Sequence, residues 1–319
     1  ANFLLSIVVF GGVIAWQGVA TDPLTIAALR ATPYEQGLQV GDRILAIADQ
    51  KTPSLDAFDG YIESLPIAER IDYTVQRDGT EITVQSSFPY PAMVVGLTPG
   101  SAAMDAGIRI GDVILSADGE PLPAFSTLRE IVGNSDGKPL ALEIWRDGII
   151  SELTLTPKKV DLPRAEGGFE TRWLIGISGG MLFEPETAPP GVIEAAKFGA
   201  NQTIYIIRSS VSGLYSMIAG SISRCNLRGP IGIAQTSGAA ASQGLVSFVW
   251  FIAVLSTAVG FLNLFPIPIL DGGHLVFHAY EAVAGKPPSD GALRVLMAGG
   301  LALLLALMVF AISNDLLCP

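Results

Sequence analysis

Hydrophobic side chains in this chain are gathered into three long runs, and most polar positions fall between them. Residues 1 to 21 hold no charge, and Phe3, Leu4, Leu5, Ile7, Val8, Val9, Phe10, Val13, Ile14 and Trp16 predict one helix of membrane length. Leu245 to Leu264 is a second such run. Leu293 to Ile312 is a third, interrupted only by Arg294 near its start. Between Pro189 and Arg228 the pattern changes. Ile193, Ala196, Ile204, Ile207, Val211, Leu214 and Met217 keep roughly helical spacing beside Lys197, Arg208 and several serines. This predicts an amphipathic helix, lying on a bilayer surface or packed on a neighbouring domain.

The segment from 22 to 180 repeats itself. Gly37-Leu38-Gln39-Val40-Gly41-Asp42-Arg43-Ile44-Leu45 recurs as Gly107-Ile108-Arg109-Ile110-Gly111-Asp112-Val113-Ile114-Leu115, and Arg77-Asp78-Gly79 recurs as Arg146-Asp147-Gly148. A period of about 70 residues predicts two small domains of one kind. Each is expected to hold a short helix ending at Gly37 or Gly107, then a turn at Gly-Asp and a strand at Arg43 to Ala48 or Val113 to Ala117. A further helix and a hairpin turned by Asp-Gly complete it.

Composition fits a membrane protein with a soluble part. Half of the 319 residues are hydrophobic, 15% are charged and the mean hydropathy is +0.47, too apolar for an ordinary soluble domain. The net charge is −11, with most acidic residues between Asp22 and Glu170. Such a domain suits neither nucleic acid nor the anionic cytoplasmic membrane face, so it is expected outside the cytoplasm. A signal peptide fits residues 1 to 21 poorly, since no basic n-region precedes the apolar run. The two cysteines, Cys225 and Cys318, lack CxxC spacing; in a four-helix topology both fall near the outer face, which leaves a disulfide between them open though no framework supports it.

The chemistry gathers at one carboxylate. From Gly229 to Leu270 there is no charged side chain, and then Asp271 ends the run Asn263-Leu264-Phe265-Pro266-Ile267-Pro268-Ile269-Leu270-Asp271-Gly272-Gly273-His274. An ionisable group at the end of a membrane-length apolar segment is costly unless it meets a cation, a metal or water. Pro266 and Pro268 donate no N–H and clash with the carbonyls four residues back, so the helix arriving from Leu245 must unravel there. Irregular backbone at that depth is tolerated only where protein or a water-filled cavity covers it. Asn263 carries an amide able to hold freed backbone or an extended peptide. Read locally, Asp271 also fits a turn residue or the N-cap of a helix starting near His274.

The run resembles the NxxPxPxxDGGH signature of site-2 proteases, the M50-type intramembrane zinc metalloproteases. The resemblance implies Zn2+ as cofactor, Asp271 as its third protein ligand, and Asn263 as the catalytic residue that holds substrate or the developing oxyanion, with Pro266 and Pro268 beside it. The repeats resemble PDZ domains in their circularly permuted bacterial form, the second copy more closely than the first. Leu174-Ile175-Gly176-Ile177 resembles the apolar-Gly-apolar loop that receives a peptide C-terminus, although a plain buried strand reads as well there. Gly229-Pro230-Ile231 resembles a loop found before the third transmembrane helix. Together these point to the regulator-of-sigma-E type with tandem PDZ domains.

The implied fold is a multi-domain membrane protein, an α-helical transmembrane core with two inserted α+β, barrel-like PDZ domains. Its expected parts are a transmembrane helix at 1–21 and PDZ domains at 22–90 and 91–180. An amphipathic segment with the Gly-Pro-Ile loop at 181–244 follows, then a transmembrane helix at 245–268, the Asp-Gly-Gly-His loop and a short helix at 269–291, and a transmembrane helix at 292–313. The implied function is cleavage of a pre-trimmed single-span membrane protein, an anti-sigma factor or remnant signal peptide, in a bacterial inner membrane. Peptide C-termini and membrane lipid are the other expected partners, and nucleic acid is not one. No His-Glu-x-x-His is present. His274 and His278 have the spacing of a metal pair, but Leu275 stands where a general base belongs. The sequence is therefore expected to begin inside the second helix of the family core and to be inactive by itself. A non-proteolytic PDZ adaptor or pseudoprotease is the alternative.

Overall fold

A computed structural model of the chain describes residues 1–54, 57–164, 168–223, 225 and 227–317. In chain order the elements are α1 (Asn2–Gln17), β1 (Val19–Ala20), β2 (Ile26–Leu29), β3 (Arg43–Ile47), β4 (Gln50–Lys51), α2 (Phe58–Ser64), β5 (Ile71–Arg77) and β6 (Thr80–Ser86). There follow β7 (Gly96–Leu97), α3 (Ala102–Asp105), β8 (Val113–Ala117), β9 (Glu120–Pro121), α4 (Phe125–Gly133), β10 (Leu140–Arg146) and β11 (Ile149–Leu155). The strands end with β12 (Lys158–Pro163), β13 (Phe169–Leu174), β14 (Ile177–Ser178), β15 (Phe183–Pro185) and β16 (Thr187–Ala188). The remaining helices are α5 (Val192–Ile218), α6 (Pro230–Ser242), α7 (Leu245–Leu262), α8 (Asp271–Ala284) and α9 (Asp290–Leu317). Two units result: a helical one of residues 1–15, 161–170 and 191–319, and a mainly β one of residues 16–160 and 171–190.

In the β unit both repeats build the same four-stranded antiparallel sheet, β4-β3-β5-β6 and β9-β8-β10-β11. Each has its own core, one around Ile44, Ile47, Tyr73 and Val75, the other around Ile114, Leu128, Leu142 and Ile144. The hairpins turn at Asp78-Gly79 and Asp147-Gly148, all four at positive φ, as the two-residue turn that continues strand twist requires. The recurring Gly-Asp and Arg-Asp-Gly motifs meet in space. Arg77 donates from Nε and Nη2 to Asp42 at 2.7 Å each, and Asp42 also accepts from the Gln39 N–H at 2.8 Å. Arg146 does the same to Asp112 at 2.6 Å, with the Arg109 N–H at 2.8 Å. Both carboxylates are buried, and the hydrogen bond to each raises the pKa of its arginine further above the ordinary value.

The strands that close the two sheets follow one another late in the chain. β14 pairs with β7, Ile177 opposite Leu97, and β15 pairs with β2, Phe183 opposite Leu29. The core of the first repeat thus takes Leu182 and Phe183 from beyond the second. The helix expected to end at Gly37 does not form. Gln36 Nε2 donates instead to Arg30 O and Thr32 Oγ1, side-chain bonds that compete with a helix, whereas in the second copy Ser101 Oγ accepts from Met104 N and caps α3.

In the helical unit, α7 and α9 are long and apolar enough to cross a membrane, with mean hydropathies of 2.3 and 2.7. α1 is shorter and, like α7, carries no charge. Ser6 Oγ of α1 donates to Ala253 O of α7 at 3.0 Å, and Ser256 Oγ returns to Asn2 O at 3.1 Å. α5 meets α1 backbone to backbone: a Cβ on Gly199 would overlap the Ile7 carbonyl oxygen, and one on Gly11 would lie 3.0 Å from Ala195 O. Small residues that let two helices touch in this way are the usual membrane-bundle solution. Phe10 of α1 meets Trp250 edge to face at 4.7 Å, and Phe198 of α5 lies tilted against it at 6.2 Å. The expected amphipathic helix is therefore packed along one half, while Tyr205, Val211, Tyr215 and Ile218 stay exposed in the other. Gly229-Pro230-Ile231 is not a loop: Pro230 opens α6 at the first helical position, where its missing N–H costs nothing. No free cysteine occurs among the described residues, and Cys318 lies outside them.

Candidate active site

The apolar run 245–264 folds as α7 and stops at Leu262, with Asn263 at its C-cap. The N–H groups of Leu264 and Phe265 turn back to Phe261 O and Leu262 O, at 3.0 and 3.1 Å. Beyond them Pro266 and Pro268 donate nothing, so the chain leaves the helical path. It re-forms a helix at Asp271, where Leu270 is the N-cap and its carbonyl accepts from the Gly273 and His274 N–H groups. One bond closes the excursion: Gly272 N donates to Asn263 O at 2.7 Å. Asn263 and the start of α8, eight positions apart in the motif, are thereby held together.

The paired glycines serve that closure by their size. A Cβ on Gly272 would overlap Phe265 O, and one on Gly273 would overlap Ile267 O. On the far side of the loop, Gly300 of α9 lets Pro268 approach, its missing Cβ lying 3.2 Å from Pro268 Cδ. Against this fixed backbone two polar side chains stay uncommitted. Asp271 is exposed and makes no side-chain hydrogen bond or ion pair among the described residues, and the half-buried Asn263 amide makes none either. Pro266 is exposed and Pro268 half-buried. His278 Nδ1 lies 3.9 Å from Glu281 Oε2 on the outer surface of α8, and His274 meets only the Phe277 ring edge. No group of three or more His, Cys, Asp or Glu side chains converges among the described residues.

In the β unit, Leu174 ends β13 and Gly176 turns the chain at φ 78° into β14. Thr98 N donates to Gly176 O at 2.8 Å and Ala103 N to Ile175 O at 2.9 Å, which fixes the turn's carbonyls. A groove of about 140 Å³ opens between this turn and α4, lined by Phe125, Leu128, Val132, Leu174, Ile175 and Ile177 with Arg129 and Thr98 at its side. Gly176 lines the groove with its backbone, and a side chain there would be directed at Ser101 instead, since a Cβ would overlap Ser101 Cβ. A second, larger cavity of about 550 Å³ shares Phe125 and Arg129 and adds Ile62, Ile67, Phe88 and Tyr90. The first repeat has a closing segment that the sequence did not suggest. Arg30 N donates to Leu182 O at 3.1 Å, the bond Thr98 makes to Gly176 O in the second. Met181-Leu182-Phe183 thus stands where Ile175-Gly176-Ile177 stands, and the only sequence signal for it was Gly179-Gly180 before an apolar triplet.

The model of peptidase family M50 matches residues 1–307. The chain belongs to this family. Among its relatives, a protein of Agrobacterium fabrum with the provisional name zinc metalloprotease Atu1380 is 34% identical over 228 residues, 70% of this chain and 60% of that protein. The regulator of sigma-E protease RseP of Escherichia coli is 36% identical over 221 residues, 68% of this chain and 48% of RseP. The RseP of Salmonella typhimurium is 37% identical over 219 residues, 67% of this chain and 48% of its own length. The chain spans about half the length of the RseP proteins it matches.

Proposed function

We propose that this chain is part of a zinc-dependent intramembrane endopeptidase that cuts a pre-trimmed single-span membrane protein in a bacterial inner membrane. The observation that carries the reading is the loop 263–271, which ends an apolar helix and leaves one exposed carboxylate, Asp271, without a partner beside a free amide, Asn263. Asp271 fits one oxygen ligand of a divalent cation. A zinc site needs more protein ligands than these residues supply, and the proposal takes them from a segment outside this sequence. When bound, zinc polarises the scissile carbonyl and lowers the pKa of water.

The chain's own residues have simpler tasks. Substrate must be extended to be cut, and the Asn263 amide can donate to and accept from an extended backbone at the point where α7 ends. Pro266 and Pro268 keep the neighbouring backbone from refolding into helix over that site. The two repeats, read as PDZ domains on the extracytoplasmic face, filter substrates by size or dock their C-termini. The groove between 174–177 and α4 supports docking. The anti-sigma-factor or signal-peptide substrate comes from the sequence resemblance alone; the relatives' names say regulator of sigma-E protease and zinc metalloprotease. A second reading, a PDZ adaptor that binds without cutting, is favoured by the absence of a complete metal group among the described residues.

Zinc content and cleavage of the complete protein decide between them. Asp271→Asn keeps the shape and removes the charge, so both should fall together, while His274→Ala and His278→Ala keep zinc near wild type. Full zinc in Asp271→Asn sinks the ligand assignment, and a wild type that neither binds zinc nor cleaves supports the adaptor. Asn263→Ala should keep zinc and lose roughly 10² to 10³ in rate, as removal of one oxyanion donor does.

A further inference from the structure

Asp315, in the last turn of α9, is spent on backbone. Its Oδ1 accepts from Gly229 N at 2.7 Å, and its Oδ2 from Ile231 N at 3.0 Å and Gly232 N at 3.1 Å. These are amides that open α6, donors with no partner inside that helix. The fit is close, since a Cβ on Gly229 would lie 2.6 Å from both Ala311 O and the Asp315 carboxylate. Next to it Asn314, buried, donates from Nδ2 to Leu227 O at 2.6 Å. Arg228 is turned aside to Thr236 Oγ1 at 2.7 Å, so the carboxylate's hydrogen-bond partners are N–H groups rather than the nearby guanidinium.

The same helix touches the candidate active-site loop at Gly300, against Pro268. Fifteen residues of α-helix, about 22 Å at 1.5 Å each, separate the two contacts. A helix held at both points cannot slide or rotate without disturbing both. Neither contact involves Asp271 or Asn263 directly. We propose that Asp315 is a positioning residue: by clamping Gly229 to Gly232 it fixes the register of α9, and through Gly300 it holds the Pro268 loop in the shape that presents Asn263 and Asp271. The catalytic meaning of that loop rests on the function proposed above, whereas the clamp does not.

Hydrogen exchange read by mass spectrometry on the full chain in detergent separates the two. Asp315→Asn keeps the volume but replaces one of the two acceptor oxygens by an NH2 group. Peptides over 227–233 should exchange about tenfold faster or more, the scale of a lost helix cap, and peptides over 263–273 should also speed up while α1 stays unchanged. Asn314→Ala, which removes the bond to Leu227 O, should act in the same direction more weakly and serves if Asp315→Asn misfolds. Gly300→Leu should loosen 263–273 directly and reach 227–233 only through α9, with a smaller rise in exchange there. Unchanged exchange at 227–233 in both clamp variants overturns the clamp, and faster exchange there with 263–273 unchanged overturns the positioning role. In the complete protein, Asp315→Asn should lower kcat and weaken zinc retention together, since Asn263 and Asp271 both lie on the loop it holds. A wild type without zinc or cleavage defeats the proposed function and leaves the exchange result standing.

Discussion

Asp42 and Asp112 are buried and each is gripped by an arginine fork, whereas Asp271 is exposed and grips nothing among the described residues. All three precede or open a regular element and all three stand next to glycine, so local sequence hardly distinguishes them. What differs is commitment. A buried carboxylate holding two guanidinium bonds and a backbone N–H has used its acceptors on the fold. A carboxylate at the end of an uncharged helix with its acceptors empty is free to bind. Asp42 and Asp112 build their domains, whereas Asp271 keeps its acceptors open, as the proposed ligand role requires.

Breaking the committed pairs should have the largest effect. Asp112→Ala leaves the Arg146 guanidinium beside a cavity with only Gly107 O at 2.9 Å. Loss of one partner of a buried pair costs about 3–5 kcal/mol, and the lower end applies because Arg146 is 28% exposed. Asp42→Ala should match it, since Arg77 is 23% exposed and has the equivalent bond to Gly37 O at 2.9 Å. Chemical denaturation of the β unit's signal checks both, and a loss below about 1 kcal/mol in either would dissolve the contrast with Asp271.

Asp271→Asn should behave in the opposite way. In metal-free protein its stability should change by no more than about 0.5 kcal/mol, as for an exposed surface group. With zinc at roughly a hundred times its dissociation constant, the wild type should gain about 2.7 kcal/mol that the variant does not. Thermal melts with and without chelator read the difference, and a variant already destabilised in chelator would class Asp271 with the structural carboxylates.

A third variant tests how differently the two repeats close. Gly176→Val forces a β-branched residue into positive φ and against Ser101, and should cost about 2 kcal/mol. Leu182→Val, at the corresponding position of the first repeat, removes one buried methylene and should cost about 1 kcal/mol. Equal losses would mean that the two closing segments do the same work.

Much of this was legible in the sequence because it is local. The three apolar runs gave the long helices, the proline pair gave the end of α7, and Asp-Gly gave both hairpins. The repetition of Gly-Asp and Arg-Asp-Gly was visible, but not the reason for it, since the two motifs pair across 35 and 34 residues of chain. The partner of β2 could not be found by pattern, because β15 lies beyond the whole second repeat. The local reading of Asp271 as a turn residue gave no hint of what Gly272 and Gly273 do, which is to admit the carbonyls of Phe265 and Ile267. Asp315 sits inside an apolar run's polar tail and gave no motif at all; only the fold brings Gly229 to it.

The smallest effect sharpens the comparison from its other side. Lys158 Nζ lies 2.8 Å from Asp105 and 3.0 Å from Gly100 O, a geometry as short as the bonds of the buried forks. If short distance alone made a carboxylate structural, Lys158→Ala would approach the cost of Asp112→Ala. The pair is 47% and 62% exposed, however, so water solvates both ions after the bond is lost, and holding the lysine chain in one conformation opposes the Coulomb gain. The expected loss is about 0.2–0.5 kcal/mol, diminishing further in high salt as screening sets in. A denaturation midpoint moved by more than about 1 kcal/mol would show that distance, and not burial, assigns these carboxylates to the fold.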